Sequence, residues 1–202
     1  MRMVKIVRIT LALFAALLFS TPTINSNVTG SKLKLSPSYY KPLEFNTVRY
    51  SAKDIECLAQ NIYFEARAES TAGKLAVANV TINRTISDDY PNNICGVVKE
   101  GRHYYSAKSE TWQPFRDMCQ FSWYCDGRGD NPNPGKTWES SMGLAKIVLR
   151  KHHQDALIDI TDGATHYHAS WMESFPRWSA QHKKVASIDR HIFYKARKRH
   201  SR

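Results

Sequence analysis

The spacing of apolar residues predicts two helices near the middle of the chain. In residues 55–66, apolar side chains recur at every third or fourth position, so they line one face of a helix. Ser51, followed by an acidic residue three positions later, is typical of the capping box that begins such a helix. Ser70 or Thr71 can cap a second helix, which apolar residues surround almost completely. We therefore expect this second helix to be buried at the centre of the domain.

Later segments predict one more helix and several short extended pieces. Residues 138–151 have apolar positions on one side, which predicts a third helix. Residues 119–124 have the pattern of a strand, and residues 127–135 form a loop rich in Gly, Asn and Pro. Residues 164–168 and 191–194 favour short strands. Together these patterns predict an α+β fold, in which a mainly helical core carries a small β-sheet.

The first residues have the organisation of an export signal. Residues 1–8 are basic, the 11 residues from Ile9 to Phe19 are apolar, and residues 20–23 are small or turn-forming. A helix of this length covers only about half of a ~30 Å hydrocarbon layer. We interpret residues 1–23 as a signal peptide, or as a signal anchor that holds the protein in the membrane. Both interpretations predict an exported protein of the periplasm or cell envelope, or a secreted one, with residues 24–50 as a linker or N-terminal arm.

The net charge of +11 is concentrated at the two ends of the chain. Residues 1–30 carry three cations and no acid, and residues 195–202 carry five cations and no acid. The charge between them is almost balanced, with 21 Lys and Arg against 18 Asp and Glu. A basic groove for nucleic acid is not indicated, so we expect no nucleic-acid partner. We expect residues 195–202 to form a basic tail that is attracted to anionic wall polymer or phospholipid.

Four cysteines behind an export signal predict two disulfide bonds. These cysteines are Cys57, Cys95, Cys119 and Cys125. If residues 119–124 are an extended strand, its ends lie about 20 Å apart, which is too far for a bond between Cys119 and Cys125. We therefore expect each of these two cysteines to pair with Cys57 or Cys95, in an order that the sequence leaves open. Zinc binding is the weaker alternative, because no C-x₂-C spacing occurs.

Two glutamates near the end of the first helix are candidates for acid–base chemistry. Glu65 lies at the edge of the apolar face, and Glu69 would fall within that face if the helix continued so far. Apolar surroundings disfavour the charged carboxylate and so raise its pKa. A carboxyl group that is still protonated near neutral pH can donate its proton to a leaving oxygen, as a general acid does in glycosidic cleavage. The alternative is a structural role, in which a glutamate pairs with Arg67 or Arg84.

A glycosidase of this kind uses either two carboxylates or one. A two-carboxylate mechanism needs a partner acid across the scissile bond, for which Asp117 and Asp126 are candidates. In a single-acid mechanism, one glutamate protonates the leaving oxygen and then acts as a base on the sugar's own 6-hydroxyl. That route gives an anhydro product and consumes no water. The sequence leaves both mechanisms open.

Histidines late in the chain are candidates for a cleft wall or a metal site. His166 and His168 lie on one face of a predicted strand, about 6.6 Å apart along it. Together with His191 they could form a three-histidine zinc site. Because no helical motif such as H-E-x-x-H accompanies them, we favour hydrogen-bonded histidines that line a cleft, without a metal. Aromatic residues are also frequent in this part of the chain, and they suit either a core or a platform for sugar rings.

Several short motifs occur in order between residues 54 and 194. They are C-L-A at 57–59, I-Y-x-E-A-R-x-E at 62–69, A-V-A at 76–78, N-R at 83–84, I-C-G-V-V at 94–98, C-Q-F-S at 119–122, G-A-x-x-Y-H at 163–168 and H-x-F-Y at 191–194. This order resembles the SleB/CwlJ-type cell-wall hydrolase domain. Ala68 stands where that family usually has Gly, and a helix accommodates either residue.

The resemblance implies an enzyme that acts on peptidoglycan with Glu65 as its catalytic residue. It implies cleavage of the glycan strand between N-acetylmuramic acid and N-acetylglucosamine, by a lytic transglycosylase or a muramidase. The implied domain is a lysozyme-like or lytic-transglycosylase-like core over residues 51–194, and we expect a monomer without cofactor or metal. The expected supporting or substrate-binding residues are Glu69, Gln120, Ser122, Tyr167 and His168. The alternatives are an N-acetylmuramoyl-L-alanine amidase, with zinc held by the histidines, and a non-enzymatic wall-binding module.

Overall fold

The structure, a computed structural model, describes residues 50–197. The predicted signal segment, nearly all of the predicted linker and the end of the basic tail lie outside these residues. The described chain is α+β, as predicted, but it has two small antiparallel sheets rather than one. In chain order the elements are α1 (Ala52–Ala66), α2 (Thr71–Thr85), α3 (Ile94–Val98), β1 (Gly101–Ser106), β2 (Thr111–Cys119), α4 (Lys136–His153), β3 (His166–Ala169), β4 (His182–Ile188) and β5 (His191–Ala196). Short 3₁₀ helices occupy Ser122–Cys125 and Arg177–Gln181.

Helix α1 begins at the predicted capping box. The Ser51 side chain accepts a hydrogen bond from the Asp54 backbone N–H at 3.1 Å, and the Asp54 carboxylate accepts one from the Ser51 backbone N–H at 3.0 Å. The apolar face of the helix is buried against α2, α3 and α4. The helix ends at Ala66, so Glu65 lies in its last turn and Glu69 lies beyond it.

Helix α2 is buried at the centre of the domain, as its apolar pattern predicted. The Ser70 hydroxyl caps the helix by accepting hydrogen bonds from two backbone N–H groups of its first turn. The helix packs against the other helices on one side and against the three-stranded sheet on the other. Polar groups buried between α1 and α2 are paired, since the Asn61 amide donates to Thr81 at 3.0 Å and the Trp123 indole donates to Asn61 at 3.0 Å.

Helix α4 confirms the third predicted helix and is two residues longer at each end. Its buried side chains, Ala145, Val148 and Leu149, pack into the same core as α1. Basic residues fill its last turn, where they complement the helix dipole. Neither α4 nor any other helix within residues 50–197 has the length and apolar composition needed to cross a membrane.

The three-stranded sheet has the order β3–β5–β4 and packs on α2. Phe193 of β5 lies opposite Tyr167 of β3 and is completely buried. The sequence predicted β3 and β5 but missed β4, whose mixed polar and apolar residues do not alternate strictly. Strand β5 continues to Ala196, and the Lys195 ammonium donates to the Asp162 carboxylate at 2.7 Å. The first residues of the predicted basic tail therefore belong to the sheet.

The β1–β2 hairpin is an element that the sequence pattern did not predict. In this hairpin, Tyr104 pairs with Gln113 and Tyr105 with Trp112. Most of its side chains are exposed, including several aromatic ones. Because neither face of the hairpin is buried in a core, its sequence lacks the alternation of apolar and polar residues by which a half-buried strand is recognised.

The strand expected at residues 119–124 is wrong, and so is the disulfide pairing that followed from it. Strand β2 ends at Cys119, and the chain then turns into a 3₁₀ helix. This turn brings the Cα atoms of Cys119 and Cys125 within 6.1 Å, and the two residues form a disulfide. The other disulfide joins Cys57 of α1 to Cys95 of α3. The prediction that all four cysteines are bonded is confirmed.

Candidate active site

The Glu65 carboxyl group lies next to strand β3 and is only partly exposed. The Tyr167 hydroxyl donates a hydrogen bond to Glu65 Oε2 at 2.9 Å, across a separation of 102 residues. The two residues meet because α2 packs against α1 on one side and against the sheet on the other. The sequence suggested both residues, but only the packing of the sheet places them in contact.

Burial raises the pKa of the Glu65 carboxyl group above its ordinary value. The hydrogen bond from Tyr167 and the positive charge of Arg84 oppose this effect, because both favour the carboxylate. Burial and the nearby Glu65 charge raise the pKa of Tyr167 well above its ordinary value, so its hydroxyl stays protonated and can donate. Because burial raises the pKa of Glu65, a larger fraction of its carboxyl groups is protonated near neutral pH, as a general acid requires.

Arg84 is a buried cation of this site. The sequence suggested it only as an ion-pair partner of a glutamate. Only 4% of its surface is exposed, and its Nε donates to the Thr165 carbonyl at 2.8 Å. Its guanidinium carbon lies 4.7 Å from the centre of the Phe121 ring. Its Nη1 is buried and has no hydrogen-bond partner among the described residues. An arginine within a helix that is predicted to be buried was the sequence feature that could have identified it.

A cleft of about 450 Å³ borders Glu65, and we call it the aromatic cleft. Five of the six site residues named from the sequence line it together: Glu65, Gln120, Ser122, Tyr167 and His168. Further lining residues are Arg84, Phe121, Ala169, Trp171, Met172, Pro176, Trp178 and His191. The cleft therefore combines aromatic surface with amide, hydroxyl and imidazole groups.

A second cleft of about 370 Å³ also borders Glu65, and we call it the polar cleft. Its lining residues are Phe64, Glu65, Arg67, Ser122, Trp123, Asp126, Arg128 and Gly129. Glu65 and Ser122 line both clefts, so the carboxyl group lies where the two meet. A long substrate that fills both clefts places one of its internal bonds beside Glu65.

The three candidate histidines do not all lie on the same face of the sheet. His191 of β5 lies opposite Ala169 of β3, and residues that alternate along a strand face opposite sides. His191 therefore shares a face with Tyr167, whereas His166 and His168 face the other side. Among the described residues, no three His, Cys, Asp or Glu side chains are grouped in a way that could hold a metal ion. The three-histidine zinc arrangement considered from the sequence is not formed.

Glu69 lies in a structural contact and lines neither of these clefts. Its carboxylate accepts a hydrogen bond from Arg190 Nε at 2.8 Å, and only 7% of its side chain is exposed. Beside it, the Ser70 hydroxyl donates to the Asp189 carboxylate at 2.7 Å. These contacts join the connection between α1 and α2 to the turn between β4 and β5. Glu69 therefore helps to hold the end of α1, which carries Glu65, against the sheet.

Of the two candidate partner acids, Asp126 lies near Glu65 and Asp117 does not. Asp126 lines the polar cleft, and its carboxylate accepts a hydrogen bond from the Arg128 backbone N–H at 2.8 Å. Asp117 lies on the hairpin with 73% of its side chain exposed, next to Arg116. Of these two acids, only Asp126 therefore borders a cleft that Glu65 also borders.

Residues 68–194 match the sequence profile of a family described as cell wall hydrolase. This match covers more than half of the chain. The chain belongs to the cell wall hydrolase family. The family resemblance inferred from the order of the motifs is thereby confirmed. Glu65 lies three positions before the first matched residue, next to the range that the profile covers.

Segments of this cell wall hydrolase are similar to curated spore cortex-lytic enzymes. The chain is 47% identical over 51 residues to that of Halalkalibacterium halodurans, which is 25% of this chain and 16% of the relative. It is 39% identical over 72 residues to that of Oceanobacillus iheyensis, which is 35% of this chain and 26% of the relative. The matched part therefore spans about a quarter or less of these relatives.

Two solved structures share the fold of this cell wall hydrolase. The catalytic domain of Bacillus cereus SleB aligns with a TM-score of 0.52 and 26% identity, over 75% of this chain and 97% of that one. The catalytic domain of the germination-specific lytic transglycosylase SleB from Bacillus anthracis aligns with a TM-score of 0.51 and 27% identity, over 72% and 97%. The predicted fold class is therefore confirmed.

Proposed function

We propose that this chain cleaves the glycan strand of peptidoglycan between N-acetylmuramic acid and N-acetylglucosamine, with Glu65 as the general acid. The observation that carries the proposal is the position of Glu65 where two clefts meet. Its raised pKa supports a role as proton donor. Membership of the cell wall hydrolase family supports peptidoglycan as the substrate, and the Bacillus anthracis relative is described as a lytic transglycosylase.

In the first step, the protonated Glu65 donates its proton to the glycosidic oxygen while the bond to the muramic acid carbon breaks. Tyr167 holds Oε2 by a hydrogen bond, which orients the carboxyl group and leaves its other oxygen to carry the proton. The resulting carboxylate is stabilised by Tyr167 and by the positive charge of Arg84. That carboxylate in turn stabilises the positive charge that develops on the sugar ring.

In the second step, the Glu65 carboxylate accepts the proton of the muramic acid 6-hydroxyl, whose oxygen attacks the anomeric carbon. The product is an anhydro sugar, and Glu65 returns to its protonated form without consuming water. A single carboxyl group thus completes the cycle, as one of the two sequence-based hypotheses requires. The position of Asp126 in the polar cleft favours a second candidate, a muramidase in which Asp126 activates water and a reducing end results.

The substrate is held by aromatic and polar groups of the aromatic cleft. Trp171 and Trp178 line this cleft and offer flat apolar surfaces on which sugar rings stack. Gln120 and Ser122 supply an amide and a hydroxyl for hydrogen bonds to sugar hydroxyl and N-acetyl groups. His168 lines the same cleft, and its Nε2 lies 3.0 Å from the Tyr194 hydroxyl. We assign Glu69 to support of the fold rather than to the substrate.

The protein acts outside the cytoplasm, as a monomer, on the wall that it degrades. Its two disulfides support an oxidising compartment, because such bonds persist in exported proteins. Residues 1–23 provide the export signal or, where they are not removed, a membrane anchor. The basic residues at the end of the chain attract it to anionic wall polymer.

Mass spectrometry of the products from purified sacculi tests this proposal. The wild type is expected to release anhydromuramic ends, and Glu65→Gln none. If the wild type instead releases reducing ends, and Asp126→Asn releases none, the enzyme is a muramidase rather than a transglycosylase. Free stem peptides with intact glycan would overturn the proposal in favour of an amidase. If the protein binds sacculi but releases no product, it is a wall-binding module and not an enzyme.

A further inference from the structure

A third cleft lies beside the β1–β2 hairpin, outside the site described above. Its volume is about 450 Å³, and it lies between strand β2 and the loop that follows the first 3₁₀ helix. Arg128 lines both this cleft and the polar cleft, while Glu65 lines both the polar and the aromatic clefts. Each cleft therefore shares a lining residue with the next, and the hairpin lies at one end of this series.

The hairpin wall of the third cleft carries Trp112. This indole is 68% exposed, although large aromatic side chains are normally buried. Trp112 and Arg116 are both residues of β2 that line the cleft. The neighbouring aromatic ring is Tyr105 on β1, 5.9 Å away between ring centres. The exposed indole therefore has no structural function in a core and is available to a ligand.

Charged and polar groups surround this exposed ring. Arg116 and Arg128 supply guanidinium donors, and Asp130 supplies a carboxylate acceptor. A flat apolar surface flanked by donors and acceptors matches a sugar ring, which has an apolar face and a rim of hydroxyl groups. The two arginines also suit the acidic peptide stems of peptidoglycan.

We propose that the hairpin cleft is a distal saccharide-binding site, in which Trp112 stacks on sugar units of the strand that Glu65 cleaves. This inference rests on the proposed function, because it assigns the same substrate to the third cleft. It makes the hairpin a determinant of substrate length: a long strand reaches Trp112, and a short oligosaccharide that occupies only the clefts beside Glu65 does not.

The test measures both binding and cleavage by the full chain for glycan strands of increasing length. Binding is measured in the Glu65→Gln background, with and without Trp112→Ala. The control is Met118→Ala, which removes an exposed apolar side chain of the same strand that lines none of the three clefts. We expect Trp112→Ala to weaken binding of long strands about 2- to 10-fold and to leave the shortest bound oligosaccharide unaffected. Met118→Ala is expected to change neither the binding of long strands nor that of short ones.

Several results would overturn the distal site. They are equal binding by the Trp112→Ala and parent chains at every length, an equal loss at every length, or an equal loss in Met118→Ala. A loss of binding to anionic phospholipid vesicles, with glycan binding unchanged, would make the hairpin a membrane contact instead. If the wild type cleaves no glycan, the proposed function fails, while the binding series still decides whether the hairpin holds saccharide.

Discussion

Replacing Tyr167 with Phe tests how the protein controls the protonation of Glu65. The substitution keeps the aromatic ring between the sheet and α1 but removes the hydroxyl that donates to Glu65 Oε2 at 2.9 Å. That hydrogen bond favours the carboxylate and lowers the pKa of Glu65 against the effect of burial. Its loss therefore raises the pKa of Glu65 further, while the charge of Arg84 remains in place.

The size of the effect follows from the strength of the lost hydrogen bond. A hydrogen bond to a charged group contributes about 1.5–3 kcal/mol, and each 1.4 kcal/mol is about a tenfold change in an equilibrium. At a given pH, the ratio of protonated to ionised Glu65 should thus rise about tenfold or more. Because the general acid must be protonated, the alkaline limb of the pH–rate profile should move to higher pH. At pH values below that limb, the variant should be slower than the wild type, because its carboxyl group is less well oriented.

The assay is the initial rate of sacculus solubilisation as a function of pH, together with thermal melts to establish folding. Tyr194→Phe is the matched control, because its hydroxyl lies 3.0 Å from His168 Nε2 and is not bonded to Glu65. It should leave the alkaline limb unchanged. An alkaline limb that stays in place in a folded Tyr167→Phe enzyme would refute the coupling between Tyr167 and Glu65. A limb that moves equally in both variants would show that the effect is not specific to this contact.

Three further predictions concern the acids, the disulfides and the tail. Glu65→Gln should lower the rate of wall lysis about 10²–10⁴-fold without loss of folding. Glu69→Gln should keep most of the activity, because Glu69 lines neither cleft beside Glu65. Turbidity assays and melts measure both variants, and an inactive but folded Glu69→Gln beside an active Glu65→Gln would reverse the assignment. Replacing Cys57 and Cys95 by Ser should lower the free energy of unfolding by about 2–5 kcal/mol in denaturant titrations, and peptide mapping that finds these cysteines joined to Cys119 or Cys125 would contradict the pairing. Deleting residues 198–202, which spares the Lys195–Asp162 ion pair, should weaken binding to sacculi at low salt but not at about 1 M salt, where charges are screened within about 3 Å. Equal binding of the deleted and full chains at low salt would refute a role for the tail.

The three long helices and the candidate acid could be predicted from the sequence because their signals are local. A capping box and an apolar stripe are complete within a few turns, so they fixed the start of α1 and the edge position of Glu65. The all-round apolar pattern of α2 likewise indicated its burial. The order of the motifs along the chain is enough to indicate the family. The three-stranded sheet was only partly predicted, since β4 lacks strict alternation.

Other features depended on contacts between distant or irregular segments. The pairing of Cys119 with Cys125 required the turn after β2, which a strand-like sequence concealed. The exposed hairpin had no buried face to impose a pattern on its residues. Arg84 gained a place beside Glu65 only because α2 packs against both α1 and the sheet.

The amino-acid sequence shows which side chains are able to do chemistry, whereas the packing of distant elements brings only some of them together. Glu65 and Tyr167 are far apart along the chain, and their 2.9 Å hydrogen bond exists only when the sheet packs on α2. Glu69, in the same motif as Glu65, is instead held by Arg190 outside both clefts. Local periodicity sets the direction of a side chain from its own helix or strand. Its burial, its partners and its pKa depend on the other elements packed against it, which no local pattern specifies.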